Sequence, residues 1–211
     1  MYDVAAVREL HGAFLAHTQF IYASAYLIDY ETQGVPKLML RAGPTKAEII
    51  AIALEKLEIQ YGETFVDIGC GTGTVSIAAA QRTDKIIAVD KRVQSVEVAR
   101  KNFEESRTSS AMTLLLGEAP QILAPYKDVI DKAFIGGTTN FRGTINFLIP
   151  HCKRLVLNAA RLERAAEVIR YMREIGIYEE VLLINIAKGY QLEGLTGLRF
   201  YNPVFMVVGS C

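Results

Sequence analysis

The sequence predicts an α/β fold in which a mainly parallel, seven-stranded sheet is covered by helices on both faces. Three observations carry that prediction. From Thr45 onward, short β-branched runs alternate with amphipathic stretches, the pattern of repeated strand–helix units. A glycine-rich run at 69–73 stands between one such strand and the next helix. The last two runs, 181–187 and 200–208, have no helical pattern between them, so they form an antiparallel pair at the sheet edge.

The elements follow in order. Thr45 and Glu48 make a capping-box pattern that opens a helix with Ile49, Ile50, Ala53, Leu54 and Leu57 on its apolar side. A first strand at 64–68 leads through the glycines into a helix at 75–81. A second strand, 86–89, ends in Asp90 and precedes a helix bearing Val93, Val96 and Ala99. Further strands fall at 112–116, 132–135 and 154–157. A helix over 161–175 carries Leu162, Ala165, Ala166, Ile169, Met172 and Ile175 as its apolar stripe.

Two parts separate by composition. Residues 1–34 hold one basic and four acidic residues, and Val4, Val7, Leu10 and Phe14 recur at helical spacing. They predict an N-terminal helical extension, with the main domain over 35–211. The chain as a whole has 211 residues, 51% hydrophobic and 22% charged, with 23 basic residues balancing 23 acidic ones. That balance disfavours a protein that tracks nucleic-acid phosphates. No early apolar stretch reaches the about 20 residues of a membrane span, and the first residues lack a secretory n-region. Cys70, Cys152 and Cys211 have no framework spacing and read as free thiols, so a soluble, cytoplasmic protein is expected.

The run Phe65-Val-Asp67-Ile-Gly69-Cys70-Gly71-Thr72-Gly73-Thr74-Val75 carries the most chemistry. Glycine lets a ligand approach the backbone closely at a strand-to-helix turn. The spacing is G-x-G-x-G, and Thr74 stands where a dinucleotide fingerprint wants Gly or Ala. Asp90, ending the next strand, is placed to accept hydrogen bonds from ribose hydroxyls. Together these residues resemble the S-adenosylmethionine site of class I methyltransferases. Cys70 is read as a small residue chosen for space rather than as a nucleophile. The Asn/Asp-Pro-Pro-aromatic motif of amino-group methyltransferases is missing: the position reads Phe134-Ile-Gly136-Gly137-Thr-Thr-Asn140, which disfavours methylation of a base amine by that route. No Cys/His spacing suggests a zinc site, so no metal is expected.

A more specific set of marks runs from about Gly34 to Gly209. It comprises Gly43-Pro44-Thr45-Lys46-Ala47-Glu48, the Asp67 glycine turn, Gly117-Glu118-Ala119-Pro120, Ile135-Gly136-Gly137, Leu162-Glu163, Ala187-Lys188-Gly189 and Asn202-Pro203-Val204. By these the chain resembles the cobalt-precorrin (carbon-15) methyltransferases (decarboxylating) of cobalamin biosynthesis. The resemblance implies S-adenosylmethionine as cofactor, contacted by Thr45, Asp67, Gly69, Cys70, Gly71, Thr72, Gly73, Asp90, Glu118 and Ala119. It implies a tetrapyrrole substrate, for which Gly136 and Gly137 leave room, and assembly as a homotetramer. It also implies a separate carbon-5 methyltransferase in the same pathway. Because the substrate carries several carboxylates, Arg41, Lys188 and Arg199 are expected to bind it, with Arg161 a further candidate. Lys188 and Arg199 bracket a glycine-containing segment that reads as a lid loop. This chain departs from the family in having Glu118 for a frequent Asp, Thr139-Asn140 for a second Gly-Gly, and Lys188 for a usual Arg.

Two rivals share parts of this pattern. A tRNA adenosine-N1 methyltransferase has a similar core but calls for a basic RNA-facing surface, against the neutral balance here. An NAD-binding Rossmann protein has a similar turn, against Thr74 and the G-x-G-x-G spacing.

Overall fold

The computed structural model describes residues 45–211. The expected helical extension at 1–34 and Arg41 lie outside the described residues. Helix α1 (Ala47–Leu57) leads to β1 (Thr64–Ile68), then α2 (Thr74–Ala79), β2 (Lys85–Asp90) and α3 (Val93–Glu105). Strand β3 (Met112–Leu116), α4 (Ala119–Leu123), β4 (Lys132–Ile135), α5 (Phe141–Leu148), β5 (Arg154–Ala159) and α6 (Leu162–Glu174) continue the alternation. The chain then runs through β6 (Tyr178–Ile184), β7 (Ala187–Leu192), β8 (Leu195–Phe200) and β9 (Val204–Ser210).

Seven strands form one sheet in the order β3-β2-β1-β4-β5-β9-β6. Strands β1 to β5 pair in parallel, whereas β9 runs antiparallel to both β5 and β6. The predicted sheet is therefore present, with the reversed strand inserted one place in from the edge. Every residue of β1 and of β4 is buried, as expected for central strands covered on both faces. Edge strand β6 instead alternates half-buried and exposed residues.

Helix α1 buries Ile49, Ile50, Ala53, Leu54 and Leu57, the face that its periodicity predicts. Its expected capping box does not form. The N-cap is Lys46, with no side-chain cap, and the Glu48 carboxylate turns outward to Lys188 Nζ at 2.9 Å. Helix α6 is rotated from its predicted stripe: it buries Ala165, Val168, Tyr171 and Met172 and leaves Leu162 exposed. The Tyr171 ring packs edge-on against Phe141 of α5 at 5.8 Å, which draws that side of the helix inward.

The segment expected to be a lid loop is a second, two-stranded sheet, β7 paired antiparallel with β8. Glu193 and Gly194 form its turn with φ of 48° and 82°, both in the left-handed region that a tight two-residue hairpin demands. Gly197 faces Tyr190, and a Cβ there would lie 2.6 Å from the ring, so this glycine makes room for an aromatic neighbour. Pro203, which lacks an N–H, separates β8 from β9, so the sheet ladder resumes at Val204 rather than at 200. Ile184 of β6 lies directly opposite Val204, and the Tyr201 amide donates to the Ile186 carbonyl at 2.9 Å. The hairpin thus continues the β6–β9 ribbon beyond the sheet.

Candidate active site

The site forms where the parallel strands end. The sheet order reverses direction between β1 and β4, and in open α/β sheets the crevice at that switch point receives ligands. Leaving β1, the backbone turns back on itself through Gly69, Gly71 and Gly73, with φ of 76°, 58° and 78°. Gly69 and Cys70 both donate their amides to the Val89 carbonyl, at 2.8 and 3.0 Å. A Cβ at Gly73 would fall 2.3 Å from the Phe103 ring, so α3 packs directly against the turn. Asn102 of the same helix donates its side-chain amide to the Thr72 carbonyl at 2.8 Å. The Thr72 hydroxyl is buried without a partner among the described residues.

Two aspartates hold this turn, in different ways. Asp67 is wholly buried behind it and accepts from the Ser76 amide at 3.1 Å and the Ser76 hydroxyl at 2.6 Å, both on Oδ2. Burial pushes its carboxyl up to about 7, against the lowering effect of the Ser76 bonds. It ties β1 to α2 and supports the turn from below. Asp90, at the end of β2, accepts the Gly71 amide on Oδ2 at 3.0 Å. Arg92 folds back onto it: Nη2 donates to Oδ2 at 2.9 Å, and Nε and the backbone amide both donate to Oδ1 at 3.0 Å. Burial alone would raise the Asp90 carboxyl, but the Arg92 bonds and the Gly71 amide outweigh it and hold it below the usual range.

The remaining predicted residues distribute between this centre and the hairpin. Gly136 donates its amide to the Ile68 carbonyl at 2.8 Å, and a Cβ on it would lie 2.9 Å from the Gly69 carbonyl oxygen. Its missing side chain therefore lets the turn approach this strand end. Gly137 has nothing within 4 Å of where a Cβ would stand and faces open space. Ala119 is buried at the start of α4, and Glu118 before it binds Lys91 at 2.9 Å. Burial, with Asp67 and Asp90 nearby, pushes the Cys70 thiol far up, which suits a space-filling residue and not a nucleophile.

Thr45 stands at the head of α1, where Glu48 reaches Lys188 and Lys46 lies 4.6 Å over the Tyr201 ring. Lys188 and Arg199 do not bracket a loop. They are cross-strand partners in the hairpin, with Arg199 also 5.7 Å over the Tyr190 ring. Arg161 is the exposed N-cap of α6. Sequence reasoning missed Arg92, Ser76 and Asn102; of these, Arg92 had a signal, a cation two residues after the strand-ending acid. Among the described residues no group of His, Cys, Asp and Glu is placed to hold a metal ion, and no helix is long and apolar enough to cross a membrane.

A parallel sheet of this order with one reversed strand, and a glycine turn leading from β1 toward an acid at the end of β2, define the class I methyltransferase fold. A family model described as a precorrin methyltransferase domain matches residues 42–209. The chain belongs to the precorrin methyltransferase family. It is 40% identical over 173 residues to a probable cobalt-precorrin-6B C(15)-methyltransferase (decarboxylating) of Methanosarcina acetivorans, covering 80% of this chain and 94% of that protein. Among solved structures, it is similar to precorrin 8W decarboxylase of Methanobacterium thermoautotrophicum, with a TM-score of 0.76, 27% identity, and 81% of this chain and 93% of that one covered. It is also similar to precorrin-6y C5,15-methyltransferase of Geobacter metallireducens, with a TM-score of 0.73, 28% identity, and coverage of 86% and 93%.

Proposed function

We propose that this protein methylates a precorrin or cobalt-precorrin at carbon 15 and releases carbon dioxide from the carbon-12 acetate side chain, using S-adenosylmethionine, in cobalamin biosynthesis. The observation that carries this reading is the 40% identity to a relative of that name across 94% of its length. The geometry supports the cofactor. The glycine turn has no side chain at three positions, and the buried Thr72 hydroxyl is left with bonding capacity. Asp90 stands at the strand end where a ribose would meet it.

Bound S-adenosylmethionine would supply an electrophilic methyl group. The turn at 69–73, with Thr45, Asp90, Glu118 and Ala119, would hold it, while Asp67 acts from behind through Ser76. Each Asp90 oxygen already accepts two donors, which fills a carboxylate's about four acceptor sites. Asp90 would accept ribose hydroxyls once the Arg92 side chain gave up its bonds. The open face beside Gly137 takes the planar substrate, and the cations Lys188 and Arg199, with Arg41, take its carboxylates.

Little acid–base chemistry is asked of the chain. A meso carbon of a reduced tetrapyrrole is electron-rich, so alignment and a dry contact with the methyl donor dominate the rate. Carbon–carbon cleavage of the acetate leaves its electron pair to the conjugated ring, and the remaining carbon takes a proton. The exposed hairpin also supports assembly as a homotetramer: Leu195 is 74% and Phe200 77% exposed, and Leu192 and Leu198 join them.

The test is anaerobic incubation of cobalt-precorrin-6B, or its metal-free analogue, with the protein and methyl-labelled S-adenosylmethionine, followed by mass spectrometry. Gain of one labelled methyl with loss of one carbon dioxide is expected. Methylation without that loss would remove decarboxylation from this site. No change with either tetrapyrrole, from protein that binds S-adenosylhomocysteine, would overturn the corrin substrate.

A further inference from the structure

Where β9 leaves the sheet, two thiols lie side by side, at the opposite end of the parallel strands from the glycine turn. Ser210 pairs with Arg154 across the β9–β5 ladder, and the Cys211 amide extends that ladder by donating to the Lys153 carbonyl at 3.1 Å. This bond fixes the Cys211 backbone against the residue that follows Cys152. The Cys152 thiol donates to the Arg154 carbonyl at 3.0 Å, and the Cys211 thiol lies beside it. Cys152 is only 3% exposed, whereas Cys211 is open to solvent.

We propose that Cys152 and Cys211 are a redox-active dithiol that closes to a disulfide by exchange with a small-molecule disulfide. Cys211 is the attacking thiol and Cys152 the resolving one. With glutathione disulfide, the Cys211 thiolate attacks one sulfur, its S–S bond breaks, and glutathione thiolate leaves. Cys152 then gives up its proton, attacks the Cys211 sulfur, and expels the second glutathione. The chain loses two electrons and two protons, which the glutathione disulfide takes up to become two thiols.

The roles follow from the surroundings. The neighbouring Cys152 thiol holds the Cys211 thiol below its ordinary range, although partial burial opposes this, and the same neighbourhood with burial holds Cys152 well above it. An exposed thiol of lowered pKa beside a buried one is the arrangement of an attacking and a resolving cysteine. Cys70 stays out of this chemistry, since it is buried within the glycine turn at the opposite end of the parallel strands. The bridge would close a long loop spanning β5, α6, β6, the hairpin and β9, a tether that constrains the unfolded chain strongly.

The full chain is incubated with glutathione disulfide, alkylated, digested with trypsin and examined by mass spectrometry. Peptide 143–153 joined to peptide 200–211 is expected, with Cys70 alkylated only after denaturation. The melting temperature of the oxidised protein should rise by about 5 °C or more and return on adding dithiothreitol. Cys152→Ser should stop with glutathione on Cys211, and Cys211→Ser should leave Cys152 unmodified. The proposal is overturned if the unaltered chain stops with glutathione on Cys211 while Cys152 stays a thiol. It is equally overturned by a disulfide between chains, by Cys70 in the bridge, or by no loss of thiols.

Discussion

Asp90 and Gly71 are joined across the site: the Gly71 amide donates to Asp90 Oδ2 at 3.0 Å, so the acid that ends β2 holds the glycine turn that leaves β1. The same carboxylate grips Arg92, whose guanidinium is partly exposed. Arg92→Ala should therefore tighten S-adenosylhomocysteine binding about three- to tenfold, since a partly exposed ion pair contributes about 1 kcal/mol. Asp90→Ala should abolish measurable binding. Titration calorimetry reads both, and weaker binding by Arg92→Ala would mean that Arg92 contacts the cofactor itself.

Asp67 gives folding a pH dependence of unusual sign. The folded state holds the proton up to about 7, whereas the unfolded chain releases it near 3.8. Between those values the native state binds more protons, so this group's stabilising contribution falls as pH rises and levels off above about 7. Asp67→Asn, which keeps an acceptor for Ser76, should remove that slope in urea unfolding measured across the window. An unchanged slope would assign it to another group.

Adjacent glycines should respond differently. At Gly136 a methyl group meets the Gly69 carbonyl oxygen at 2.9 Å, and backbone must move. Gly136→Ala should cost about 1–3 kcal/mol of stability and weaken S-adenosylhomocysteine binding. Gly137→Ala meets nothing within 4 Å, so it should fold and bind the cofactor normally. Its effect should appear in KM for the tetrapyrrole, and a loss of cofactor affinity instead would place Gly137 on the other side of the site.

The cation pair on the hairpin separates recognition from stability. The Lys188–Glu48 ion pair is roughly half-exposed and contributes at most about 1 kcal/mol to folding. Replacing Lys188 and Arg199 together by Ala should leave Tm nearly unchanged while raising KM for a polycarboxylate substrate about tenfold or more. The salt dependence of KM should shrink as well. If KM and its salt response both stay as they were, these residues do not bind the substrate.

Exposed apolar residues along the hairpin give a further test. On the proposal that this surface holds a homotetramer together, Leu195→Glu with Phe200→Glu should give monomers in sedimentation velocity. Retention of the tetramer would move the interface to another surface.

The parts of this protein that are legible in its sequence are those governed by neighbouring residues. The glycine turn is readable because only glycine accepts three successive left-handed positions at that spacing, and α1 because its five buried side chains recur at helical period. What escaped depends on residues distant in sequence. Glu48 looks like a capping residue until Lys188, from the hairpin, takes its carboxylate. Tyr171 is drawn inward by Phe141, which rotates α6 away from its expected stripe. The hairpin was hidden because its apolar residues are exposed, while glycines that suggest a mobile loop in fact form a turn and a seat for Tyr190. Arg92 could not be placed by any periodicity, since its partner is set by where β2 stops.

The hairpin departs from β6 after Ile184 and rejoins the sheet at Val204, two residues already paired with each other. Nothing in the seven-stranded register depends on what lies between them. A short turn could close the same gap, and a longer or differently charged arm could be grafted there without altering that register. Descent within this fold can therefore revise what the hairpin presents while leaving the sheet untouched, and an engineer has the same freedom at the same two residues.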